Sequence, residues 1–71
     1  MQNQTHLIKL LREKTGLEQK DFAKKLNTYP SRISEYENNK FDISLNKFLK
    51  WCDVFGVDPK TLFKEVKEIN N

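Results

Sequence analysis

Residues 17–40 read LEQKDFAKKLNTYPSRISEYENNK, and this stretch decides the fold. Phe22, Ala23 and Leu26 recur at i, i+1 and i+4, the spacing of one buried stripe on a helix. Glu18 and Asp21 precede Lys24 and Lys25, the charge order that suits a helix macrodipole. Together they predict a helix over about residues 18–26. Asn27 follows, and Asn tolerates the left-handed backbone that ends a helix better than other non-glycine residues do. Thr28 and Tyr29 form a tight connection. Pro30 suits the first position of a helix, where its missing N–H leaves nothing unsatisfied, and it turns Tyr29 away from helical backbone. A further helix is expected over about residues 30–37, with Ile33 and Tyr36 inward beside the stem of Glu37 or Arg32. Ser31, Ser34 and Glu35 fall on its opposite face. So short and polar a helix is unstable alone, and packing against its neighbour must hold it.

Upstream, Thr5 is the expected cap of a helix over about residues 6–14, with Leu7, Ile8, Leu10 and Leu11 on its apolar side. Lys14 suits the end of that helix and Gly16 stops it. Downstream, Asn38, Asn39 and Lys40 make a turn, with Asn39 the expected left-handed residue, and Phe41, Asp42 and Ile43 a short loop. Ser44 caps a helix whose inner stripe is Leu45, Phe48, Leu49, Cys52 and Phe55, and Gly56 ends it. Asp58 followed by Pro59 is a strong start signal for a last helix, buried through Leu62, Phe63 and Val66 and fraying from Ile69. Both glycines of the chain fall at predicted helix ends. The expectation is an all-α class: one domain over residues 1–71, a compact five-helix bundle with its core in residues 6–67 and frayed ends.

Seventy-one residues suffice for one domain and not for two. Thirteen Lys and Arg against ten Asp and Glu leave a net charge of +3, a mild bias toward a polyanionic partner. The basic residues Lys20, Lys24, Lys25, Arg32 and Lys40 are interleaved with acids, so there is no polybasic tail. Cys52 is the only cysteine, which excludes an internal disulfide and a thiolate zinc site, and His6 has no nearby Cys to ligate with. Residues 1–5 lack the basic-then-apolar pattern of a signal peptide, and the apolar runs are far too short to span a membrane. A cytoplasmic protein is expected. No paired carboxylates, nucleophile elbow or phosphate-cradling glycine loop is present, which argues against an enzyme and against a cofactor.

Two short helices locked at a steep angle by Phe22, Ala23, Leu26, Ile33 and Tyr36 present the second as a convex ridge, and the major groove of B-DNA is wide enough to take it. Several stretches carry a resemblance. Leu11-Arg12, Gly16-Leu17-Glu18-Gln19, Phe22-Ala23-Lys24-Lys25-Leu26, Ile33-Ser34, Glu37-Asn38-Asn39-Lys40, Ser44-Leu45 and Phe55-Gly56-Val57 are similar to the pattern of the Cro/C1-type helix-turn-helix domain of phage repressors and related bacterial regulators. The resemblance covers about residues 6–64. It implies a lambda-repressor-like fold and a role as a transcriptional regulator, a repressor that binds a palindromic operator as a homodimer. It places Pro30, Ser31, Ser34 and Glu35 toward the bases, and Gln19, Arg32, Asn38 and Lys40 toward the DNA backbone, with Arg32 also able to reach a base edge. It implies a structural salt bridge between Arg12 and Glu37 that fixes the angle of the recognition helix.

The chain departs from that pattern at Asn27 and Asn39, which replace glycines, at Tyr29, which replaces a capping Ser or Thr, and at Pro30 and Glu35, which replace long polar or basic residues. Pro30 can touch a thymine methyl and Glu35 can accept from cytosine N4, so the list of direct base contacts is short. Trp51 lies about 100° from Cys52 around its helix, at the edge of the buried stripe. Two readings stand for it: a cap on the core against the last helix, or an exposed anchor in a dimer or partner surface with Phe55, Val57 and Pro59. Phe41 either folds over Tyr36 or joins the same surface. The alternative to a repressor is an antitoxin or other protein-binding regulator that neutralises a partner.

Overall fold

Five α-helices follow one another along the chain in a computed structural model: α1 (Asn3–Thr15), α2 (Gln19–Lys25), α3 (Pro30–Glu37), α4 (Leu45–Phe55) and α5 (Pro59–Ile69). The structure describes the backbone of residues 3–38 and 40–69 and the side chains of residues 7–38 and 40–65. Asn39, Asn70 and Asn71 lie outside the described residues, as does the side chain of Val66. Among the described residues there is no strand.

The helix ends follow local chemistry. Asn27 takes φ +62°, and behind it Thr28 N–H donates to the Ala23 carbonyl (2.9 Å) while Asn27 N–H donates to Lys24 (3.1 Å). That is the paired C-terminal closure in which a left-handed residue returns two N–H groups to the last turn. Gly56 does the same for α4 at φ +67°, with Val57 N–H on Cys52 (2.9 Å) and Gly56 N–H on Asp53 (3.1 Å). Asn therefore fills at residue 27 the backbone role that glycine fills at residue 56. Ser44 caps α4 through Oγ, which accepts from Lys47 N–H (3.1 Å). Asp58 Oδ1 accepts from Lys60 N–H (3.0 Å) ahead of α5. Thr5 is not a cap, because α1 begins earlier, at Asn3; once a buried face nucleates a helix, each further turn adds hydrogen bonds at little extra cost.

The core draws on every helix: Ile8 and Leu11 from α1, Phe22 and Ala23 from α2, Ile33 and Tyr36 from α3, Phe48, Trp51 and Cys52 from α4, and Leu62 from α5, with Ile43 of the connection before α4. α3 packs against both α2 and α1, and α5 closes against α1, where Lys14 pairs with Glu65 (2.5 Å). The rings are interlocked. Phe22 stacks on Phe55 (centroids 4.9 Å apart) and meets Trp51 edge-on (6.1 Å), and Trp51 in turn meets Tyr36 edge-on (5.5 Å).

This aromatic cluster turns the buried face of α4 away from the expected stripe. Trp51 is only 6% exposed, so it caps the core and is not a surface anchor, while Leu45 (60%) and Leu49 (37%) are exposed rather than inward. The reason is that Phe22 and Tyr36 surround the indole and draw that side of α4 inward, which rotates Leu45 and Leu49 out. Phe63 likewise stays partly exposed, leaning on Phe48 (5.9 Å) instead of burying α5. Phe41 folds against Tyr36 (6.4 Å, edge-on). Burial of Cys52, and secondarily the charge of Asp58, push its thiol pKa up, so it is an inert core residue.

A domain of this size has a stability margin of roughly 3–5 kcal/mol from its core. Phe22 is fully buried between two rings, and its truncation removes about 3–5 kcal/mol. Phe22→Ala is therefore expected to be largely unfolded at 25 °C, read as loss of the helical circular dichroism signal and of cooperative urea unfolding.

Candidate nucleic-acid interface

α3 has two faces with opposite fates. On the rear, Glu37 in its last turn is held by groups from two other helices. Arg12 of α1 donates Nε to Glu37 Oε2 (2.7 Å) and Nη2 to Oε1 (3.2 Å), a two-pronged pair. Gln19, the first residue of α2, donates Nε2 to the same Oε1 (3.0 Å). Arg12 also donates Nη1 to the Leu17 carbonyl (3.3 Å), tying the α1–α2 connection to the cluster. The Glu37 side chain is only 8% exposed. The hydrogen bond to Glu37 raises the Arg12 pKa, against the desolvation that lowers it. One carboxylate thus joins α1, α2 and α3 and fixes the angle at which α3 leaves the body.

The sequence pattern pointed to the Arg12–Glu37 bridge only by resemblance, and the third member was missed. The resemblance places Gln19 toward the DNA backbone, and its side-chain amide donates to Glu37, on the rear of α3. No spacing rule in the sequence signals a contact between residues so far apart.

On the front, Pro30 and Ser31 are exposed and Ser34 and Glu35 are half-exposed. Ser34 Oγ and carbonyl O accept from Asn38 Nδ2 (3.1 and 2.8 Å), and Glu35 lies 3.8 Å from Arg32 Nε. These partners belong to α3 or follow it directly, so the polar face of the helix is not buried under the rest of the chain. Lys40 is exposed beyond the helix exit, with its backbone N–H bonded to the Glu35 carbonyl (2.8 Å). Asn38 turns its side-chain amide back onto α3, adding a second donor to the Ser34 carbonyl that its own backbone N–H already bonds, a use that competes with reaching outward.

Arg32 lies over the Phe41 ring (5.0 Å to the centroid), a cation–π contact that sequence reading did not anticipate. It holds the guanidinium toward the exit end of α3. Tyr29 sits at the N-cap with extended backbone and no side-chain cap, and Pro30 follows at the first helical position. Of the four residues expected to form a partner surface, Trp51 is buried, Phe55 and Val57 pack partly against the core, and Pro59 is half-buried.

Two helices joined by residues 26–29, the second braced from behind and bare in front, define a helix-turn-helix domain. The family described as helix-turn-helix domain matches residues 5–68, and the chain belongs to it, an XRE-like, Cro/C1-type family of DNA-binding domains. Its role is DNA-binding regulation, and domains of this family are not catalysts. Comparison with characterised proteins and with solved structures gives no match. Among the described residues no cluster of His, Cys, Asp and Glu could hold a metal ion, and no helix is long and apolar enough to cross a membrane.

Removing one partner of a largely buried pair strands the other. Glu37→Gln and Arg12→Ala are each expected to lower unfolding free energy by about 2–3 kcal/mol, less than a fully enclosed pair because Arg12 retains some contact with water. The double variant should lose clearly less than the sum, as urea unfolding of all four proteins in the cycle will read.

Proposed function

We propose that this is a transcriptional repressor of the lambda-repressor-like type that inserts α3 into the major groove and reads a palindromic operator as a homodimer. The observation that carries this reading is the asymmetry of α3: locked through Glu37 on its rear, open along Pro30, Ser31, Ser34 and Glu35 on its front. Side chains carried on a helix that is held from behind, with no partner in the other helices among the described residues, can exchange water for base edges at little backbone ordering cost. Pro30 offers an apolar contact, Ser31 and Ser34 offer hydroxyls, and Glu35 offers an acceptor for cytosine N4. Gln19, Arg32, Asn38 and Lys40 serve the phosphates on either side.

One helix of this length makes few base contacts, and discrimination among chromosomal sites then requires two copies on two half-sites about one turn apart. Leu45, Leu49 and Phe63 supply exposed apolar surface for a protein contact, which Trp51 does not. The same side chains support the second reading, an antitoxin-like regulator that covers them with a different protein. The domain acts in the cytoplasm of a bacterium, encoded by a chromosome, phage or plasmid.

Selection of duplexes by the purified protein should return a two-fold symmetric site, and sedimentation should give a dimer on it; a lone half-site bound by one protomer contradicts the operator model. Ser34→Ala and Glu35→Gln are expected to change the preferred sequence while leaving Tm nearly unmoved, because their partners among the described residues are on or beside α3. Lys40→Ala should weaken binding to every sequence and lower the salt slope of log K by about one. An unchanged slope removes Lys40 from the phosphate contacts.

A further inference from the structure

Tyr29 stands outside both the core and the bracing of α3. Among the described residues it is the most exposed large hydrophobic side chain, at 72%, and it takes part in no ring contact or side-chain hydrogen bond. Its backbone, in contrast, is firmly held. The Tyr29 carbonyl accepts from Arg32 N–H (3.0 Å) and Ile33 N–H (3.2 Å), Pro30 follows it, and Thr28 N–H is tied to Ala23 just before it. The ring therefore hangs from a fixed point at the N-terminus of α3, the end of a recognition helix that supplies base contacts first.

The residue type is costly there for folding. A Ser, Thr, Asp or Asn at that position would cap α3, and Tyr leaves it with no side-chain cap. Among the described residues neither burial nor a bonding partner offsets that loss. Next to it Pro30 is also exposed, so two apolar rings meet solvent at the N-terminal tip of α3, ahead in sequence of the polar residues of its front. In the major groove the apolar group presented by the base pairs is the 5-methyl of thymine; the other edges are donors and acceptors. We infer that Tyr29, with Pro30 beside it, reads the 5-methyl group of a thymine in each half-site, which makes it a specificity-determining residue. This inference rests on the DNA-binding reading above.

The test uses the full chain and the duplex obtained by selection, with each thymine replaced singly by uracil. For the natural protein one thymine per half-site should stand out, its demethylation raising Kd about three- to five-fold, the worth of one buried methyl. Tyr29→Ala should bind the thymine duplex correspondingly more weakly, and uracil at that position should change its Kd less than two-fold. Tyr29→Phe, which keeps the ring, should behave as the natural protein does. Because Tyr29 is exposed, Tm of both variants should match the parent, which separates binding from folding.

Tyr29→Ala responding to every uracil as the parent does, or binding as tightly, overturns the inference. So does Tyr29→Phe falling to the level of Tyr29→Ala, since the phenol hydroxyl would then carry the contact, as a phosphate ligand would. Failure of the natural protein to bind any duplex at low salt is a different result: it overturns the DNA-binding reading itself, and this inference with it.

Discussion

The carboxylate of Glu37 is the constraint on which the rest depends. α3 is short, carries no side-chain cap and has a polar front, so it lacks the means to hold itself in place. Ile33 and Tyr36 attach it to the core by burial, but burial is non-directional and leaves rotation and tilt poorly specified. Direction comes from charge-assisted hydrogen bonds. Arg12 approaches Glu37 with a planar fork that accepts one geometry, and Gln19 adds a donor from the helix preceding the turn. A buried ion pair is weak evidence for stability, since apolar replacements often serve as well. Its role here is orientation: it sets how far the front of α3 stands off the body.

The second constraint is size. With so few residues the fold cannot rely on core area alone, and it concentrates aromatic rings where three helices meet. Phe22, Tyr36, Trp51 and Phe55 form that junction, directly behind the helix-turn-helix. The same packing that stabilises the domain therefore also backs its functional element. A change in this cluster acts on both, whereas the outward residues of α3 are decoupled from it. That division leaves the front face free to vary in sequence while the scaffold stays constant.

Much of the backbone was legible in the sequence because local chemistry decided it. Asn27, Gly16 and Gly56 adopt the left-handed conformation, Ser44 caps α4, and Pro30 and Pro59 open helices, as residue type alone suggests. The start of α1 was not legible, since Thr5 is an acceptable cap type that tertiary context passes over. The phase of α4 was not legible either. Its apolar residues surround most of the helix, and only contact with Phe22 and Tyr36 selects Trp51 for burial over Leu45 and Leu49. At the site, residue types located the outward face of α3, while the contacts of Gln19 with Glu37 and of Arg32 with Phe41 depend on three-dimensional proximity that spacing does not encode.

On the proposed reading, the braced helix presents its front, and not another surface, to a duplex. The most direct measurement is the perturbation of backbone amide NMR signals as a duplex is titrated in. The largest changes are expected at Tyr29 and over residues 31–35, with Gln19 and Lys40 flanking them and the exposed face of α4 and α5 little affected at the level of one protomer. Changes confined to α4 and α5, or none at low salt, would contradict it.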